Sequence, residues 1–388
     1  MNIAITGRSM TTETILTNAQ LVLRDRVQTG TLVLRDGKIA EIDDARSHAP
    51  GAVDLDGDYL MPGVVDVHTD NLERQVQPRV NARWPSLSAL LSHDAQTAAA
   101  GVVTVLDALC LGNLGFEAER IKTFREGLFD LNLMEGTGLL KSEHFLHLRL
   151  EMPAMDVVEH AENVANHPRV RMVSFMDHSP GVGQYANMEN YRNLRRRGGM
   201  AEDQIDANMQ RMLDQRARHR TPNRHKLLEM FRHHDIAVAS HDDETVENIA
   251  ENFADGITIS EFPVRLAAAK AAHERGMTVI AGAPNIVRGG SHSGNVAAAE
   301  LIAEGVVDAL ASDYVPAALI ESAFIAFERS MLSLPDAVAM ITDTPAKMAK
   351  LADRGRLEAG LRADLVQVRR FMAIPVVRQV WREGQRIA

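Results

Sequence analysis

Only one cysteine occurs in 388 residues, Cys110. No intrachain disulfide can form, and no metal site can be built from several thiolates. No stretch approaches the ~18 uncharged apolar residues of a membrane-spanning helix. Residues 1–12 carry no apolar h-region, so a secretory leader is not expected and the expected compartment is the cytoplasm. Basic residues are outnumbered, giving a formal net charge of −10. That balance argues against nucleic acid as a partner, and the apolar pattern against membrane. An anionic substrate would have to be held by positive charge that is local.

What is present is ordinary globular material, 45% hydrophobic and 24% charged. The length suits a barrel of ~250 residues plus a smaller unit. Short runs rich in Val, Ile and Leu, separated by turns such as Arg35-Asp36-Gly37, read as strands over the first ~60 residues. Leu365 to Val368 and Val376 to Arg382 read the same way. Both chain ends are therefore expected to build one small β-sandwich domain from residues 1–61 and 347–388.

Between them eight apolar strands alternate with helical patterns. They begin at Val64, Val102, Phe145, Met172, Ile236, Ile257, Thr278 and Ala309. Eight βα units predict an α/β fold, a (β/α)8 TIM-like barrel over 62–346, with a doubly wound open sheet as the rival. Long insertions follow the first strand (71–85) and the fourth (178–223), where a barrel carries its active face.

Strand alternation places Asp66, His68 and Asp70 on one face of the first strand. In the third, Leu146, Leu148 and Leu150 suit the outer helices. Phe145, His147, Arg149 and Glu151 then point inward, where polar groups must be paired or ligated. Asp177-His178, Ser240-His241-Asp242, Glu261 and Ser312-Asp313 close further strands. Imidazole plus carboxylate without thiolate suits zinc, manganese, iron or cobalt, and the residue types do not choose among them. Residues 191–225 hold nine arginines against four acids, a positive segment expected to overhang the active face. Arg288, Gly289, Gly290, His292 and Asn295 lie in a glycine-rich loop after strand seven. Barrels often bind phosphate there, and backbone N–H groups can approach an anion.

The run Met61-Pro62-Gly63-Val64-Val65-Asp66-Val67-His68, the Asp ending strand eight and the return segment 354–365 resemble the amidohydrolase superfamily. A narrower set is similar to its phosphonate-utilising diphosphatase branch. It comprises His68-Thr69-Asp70-Asn71-Leu72, Ser92-His93-Asp94, Met176-Asp177-His178-Ser179-Pro180-Gly181, Ser240-His241-Asp242-Asp243, the block 283–295 and Ser312-Asp313-Tyr314. The resemblance implies hydrolysis of a small polyanionic ribose triphosphate, with release of diphosphate. It implies one or two divalent metal ions, zinc first among the candidates, held by His68, Asp70, Glu151, His178, His241 and Asp313. Glu151 stands in for the bridging lysine that strand four lacks. Asp313 is also the expected catalytic base. Asp177, Asp242, His147 and Glu261 are expected behind these ligands. Cleavage of a C–N bond is the alternative activity, and a homo-oligomer is an open expectation.

Overall fold

The computed structural model describes residues 13–79, 82–114, 118–291 and 294–388. Met1–Thr11, whose sequence shows no strand or helix pattern, lies outside them, as does His292.

Eight parallel strands run in sequential order: Val64–Thr69, Val102–Leu111, Glu143–Glu151, Val170–Met176, Ala237–His241, Ile259–Glu261, Thr278–Gly282 and Ala309–Ala311. A parallel bridge between Thr69 and Asp313 joins the eighth to the first and makes the sheet a barrel rather than an open layer. The third strand alternates as its sequence dictates. Leu146, Leu148 and Leu150 pack under the outer helices. Phe145 faces inward with Met172, Ala239, Ile259 and Ile280.

The first strand departs from strict alternation. Its register against the second shifts between Asp66 and Thr69. Val65 and Val67 join the interior cluster, and His68 also reaches the cavity at the barrel mouth. A bulge of this kind re-aims a side chain near a site. Ala346, Ala349 and Leu351 fill the same interior, so the barrel core draws on residues beyond 346.

The chain ends share one mixed sheet. Leu365–Phe371 pairs antiparallel with Tyr59–Pro62, which lies beside Glu13–Val22. Seven of its strands follow one continuous hydrogen-bonded path, with Val53–Asp54 off it beside Glu13–Val22, and the path curls until the turn at Gly37 meets Glu383. Leu16, Leu34, Leu60, Leu365 and Trp381 share its core.

The insertion after strand four is helical, with Met188–Arg197 and the 30-residue Glu202–Phe231. Asn223, in the long helix, donates to the Met152 and Ala154 carbonyls and ties it to the barrel. Among the described residues no helix is long and apolar enough to cross a membrane.

Candidate active site

The C-terminal ends of the strands surround a cavity of about 1420 Å³. Asp242, Phe262 and Asp313 end the fifth, sixth and eighth strands in the left-handed region, at φ 56°, 55° and 54°. Each donates its backbone N–H to the next strand round the ring: Asp242 to Glu261 O, Phe262 to Ile280 O and Asp313 to His68 O. Non-glycine residues adopt this conformation uncommonly, and at these three strand ends it turns the chain at the rim of the cavity.

Three imidazoles face the cavity, each fixed from behind by a carboxylate. Glu261 accepts from His68 Nδ1 at 2.8 Å and from His241 Nδ1 at 2.6 Å, one oxygen for each ring. Glu151 accepts from His178 Nδ1 at 2.6 Å and from its backbone N–H at 2.9 Å. With Nδ1 committed, Nε2 is the atom each ring offers. His68 Nε2, His178 Nε2 and Asp242 Oδ2 are buried with no hydrogen-bond partner. Orphaned donors of these types suit a metal ion, and carboxylate behind imidazole is the usual way of orienting such ligands. The donor atoms form two groups, His68 with Asp70 and Asp313, and His178 with His241 and Asp242. Within each group they lie inside 4.8 Å of one another.

The electrostatics fit a cation. Burial alone would lower the His68 pKa, but the Glu261 charge overrides it and raises it to about 10. His178 is raised in the same way, by Glu151 against burial. Burial favours a neutral Asp70, yet the Arg149 guanidinium at 2.8 Å holds its carboxyl far below the usual range. Asp313 is raised by burial and then by the Asp70 charge beside it. Without other positive charge, the carboxylates keep protons on the rings.

Several expectations are redrawn by this geometry. Glu151 is not among the residues lining the cavity and accepts one hydrogen bond on each oxygen from His178, while Asp242 stands among the candidate ligands. Asp177 is turned away, accepting from Arg216 Nε at 2.7 Å. His147 is spent inside the barrel on the Val67 carbonyl and Ser174 Oγ, and burial lowers it to about 3. In the glycine-rich loop, Gly289 N–H bonds Ile286 O and Gly290 N–H bonds Asn285 O, capping the helix Ala283–Arg288. Those two amides are not available to an anion. Arg288, Gly290 and Asn295 do line the cavity. His292 lies outside the described residues.

Most arginines of the 191–225 segment pair with acids instead of facing the site. Arg192 and Arg196 hold Glu202, Arg220 holds Glu251, and Arg224 holds Asp255. Arg195 lines the cavity.

A second cluster was not foreseen. His93 Nε2 and His144 Nδ1 bond the two oxygens of Asp107, and His144 Nε2 bonds Asp94. Asn71, beside Asp70, bonds His93 Nδ1 at 2.9 Å. All five are buried, and their ring nitrogens are satisfied by one another. Asp107 had a signal, since it is the one acid in the all-buried strand Val102–Leu111. Such a group must find partners.

A barrel whose strand ends carry carboxylate-oriented imidazoles and further carboxylates around one mouth is the architecture of a metal-dependent hydrolase. An amidohydrolase family model matches residues 266–388. The chain is 40% identical over 376 residues to the alpha-D-ribose 1-methylphosphonate 5-triphosphate diphosphatase of Escherichia coli strain K12, covering 96% of this chain and all of that one. The chain belongs to the amidohydrolase superfamily, in the family of that diphosphatase. Its fold is also that of 5-methylcytosine deaminase from Klebsiella pneumoniae, with TM-score 0.64, 15% identity and coverage of 96% and 98%. N-acetylglucosamine-6-phosphate deacetylase from Pasteurella multocida superposes with TM-score 0.61 at 12% identity, covering 97% and 99%.

Proposed function

We propose that the protein hydrolyses α-D-ribose 1-methylphosphonate 5-triphosphate to α-D-ribose 1-methylphosphonate 5-phosphate and diphosphate, with a divalent metal as cofactor. One observation carries the reading. Two groups of imidazole and carboxylate donors, with His68 Nε2, His178 Nε2 and Asp242 Oδ2 orphaned, share a cavity with Arg74 and Arg288, which pair with no carboxylate among the described residues, in a chain 40% identical end to end to a diphosphatase with this named substrate.

His68, Asp70 and Asp313 would hold one ion, and His178, His241 and Asp242 a second. Zinc suits this imidazole and carboxylate set, which also admits manganese, iron and cobalt. When bound, such an ion supplies Lewis acidity toward phosphoryl oxygens and acidifies water. Asp313, at the strand-eight terminus, takes a proton from the attacking water. The water oxygen bonds to phosphorus, the bridging P–O bond breaks, and diphosphate departs. Arg149 keeps Asp70 ionised, while Glu261 and Glu151 hold the imidazoles in one tautomer and orientation. Arginine at the cavity rim offsets the substrate's charge.

The test is turnover of this triphosphate by purified protein, after chelation and after return of zinc or manganese. Activity lost on chelation and restored by metal supports the reading. Full activity in the chelated protein contradicts the metal requirement.

A further inference from the structure

Four of the cavity's arginines fall into two kinds. Arg149 and Arg120 sit beside carboxylates, Arg149 on Asp70 at 2.8 Å and Arg120 on Glu73 at 2.9 Å. Their charge is spent within the protein. Arg74 and Arg288 also line the cavity, are exposed, and have no carboxylate within ion-pair distance among the described residues. In a chain of net charge −10 such groups are where an anion gains most.

Their placement follows from the ring order. Strand eight lies between strands seven and one. Arg288 leaves strand seven and Arg74 leaves strand one, so the pair straddles the strand-eight terminus that carries Asp313 and Tyr314. Arg74 is held there. One Nη donates to the Tyr314 carbonyl at 2.8 Å, and the guanidinium lies 5.6 Å from the Tyr314 ring centroid. One anchored nitrogen leaves the rest of the fork free to donate. Anchoring also reduces the ordering cost of binding.

We propose that Arg74, opposite Arg288 across the strand-eight terminus, binds the terminal diphosphate of the substrate and sets the preference for a triphosphate chain. This rests on the diphosphatase reading. The terminal diphosphate is the densest charge on the substrate, and two forks without a carboxylate partner flanking the proposed base match it. The methylphosphonate end carries a single negative charge and needs no such pair.

The test uses the metal-loaded protein and its Arg74→Ala and Arg74→Lys variants. Arg74 is exposed, so the fold should be retained, and thermal melting checks it. Three quantities are measured: KM for the triphosphate, the inhibition constant of inorganic diphosphate, and that of the ribose 5-phosphate product. Arg74→Ala should raise KM and the diphosphate constant roughly 10- to 100-fold. The ribose product's constant should hold within ~3-fold, and Arg74→Lys should recover part of the loss, as an ammonium keeps the charge without the fork. Unchanged KM and diphosphate inhibition overturn the proposal. So does a loss confined to the ribose product, which would put Arg74 at the methylphosphonate end. A wild-type protein with no turnover of the triphosphate would instead defeat the reading on which the proposal rests.

Discussion

Glu151 spends both carboxylate oxygens on His178, one on the ring Nδ1 at 2.6 Å and one on the backbone N–H at 2.9 Å. It thereby fixes the ring's rotation and leaves Nε2 as the ligand atom. Glu151→Gln keeps the shape but loses the charge. Metal affinity should fall roughly 10- to 100-fold with the melting temperature little changed. Competition against a chromophoric chelator measures it, and unaltered affinity would show that Glu151 does not orient the ligand.

Glu261 serves two rings, so its loss should reach both donor groups. In the metal-free protein His68 is raised to about 10, burial opposing and Glu261 winning. Glu261→Gln removes the largest raising charge, so the pKa of His68 should drop. Nitrogen NMR of the imidazoles across pH 5–10 reads this without activity. A His68 titration that stays put would separate it from Glu261.

Asp313→Asn should lower turnover roughly 10²- to 10⁴-fold while the barrel remains folded. Burial and Asp70 raise the Asp313 carboxyl in the metal-free protein, a bound cation opposes that rise, and protonation of Asp313 sets the acid limb of the pH–rate profile. Acidification protonates the base and activity falls. The residual activity of the Asn variant should lack that limb. A variant with the same limb would assign it to another group.

The buried His144–Asp107 pair predicts a stability profile. Burial disfavours both charges. Asp107 nevertheless raises His144 to about 9, and the two imidazoles hold Asp107 well below its usual value. A raised histidine stabilises fully below its unfolded value of about 6.5 and loses that contribution as pH climbs through 9. The depressed Asp107 contributes above 3.8 and loses its part as pH falls below it. His144→Gln should therefore cost roughly 3–5 kcal/mol at pH 6, and distinctly less at pH 10. Urea unfolding at the two pH values checks this. An equal cost at both would mean that His144 is neutral when folded.

The barrel was readable because its strands carry distinct faces. Leu146, Leu148 and Leu150 against Phe145, His147 and Arg149 can hardly be placed any other way. His68, His178, His241 and Asp313 were legible as residues at strand ends. What spacing could not show was which of two neighbouring carboxylates faces the cavity. The sequence-based expectation puts Glu151 among the ligands and Asp242 behind them, whereas Asp242 sits in a left-handed turn with Oδ2 unpartnered and Glu151 reaches back to His178. The glycine-rich loop misled for a related reason. Its first two amides cap a helix, and nothing local in the sequence distinguishes a cap from an anion cradle. Asp94, Asp107 and His144 come together only through pairing of the second and third strands and the packing of helix Ser86–Ala99.

Phosphorus NMR of the products formed from α-D-ribose 1-methylphosphonate 5-triphosphate by the metal-loaded protein addresses the central claim most directly. Diphosphate and α-D-ribose 1-methylphosphonate 5-phosphate should appear in equal amounts, and roughly 10²- to 10⁴-fold more slowly when Asp313 is Asn. Release of orthophosphate, or an unconsumed triphosphate, would contradict the account.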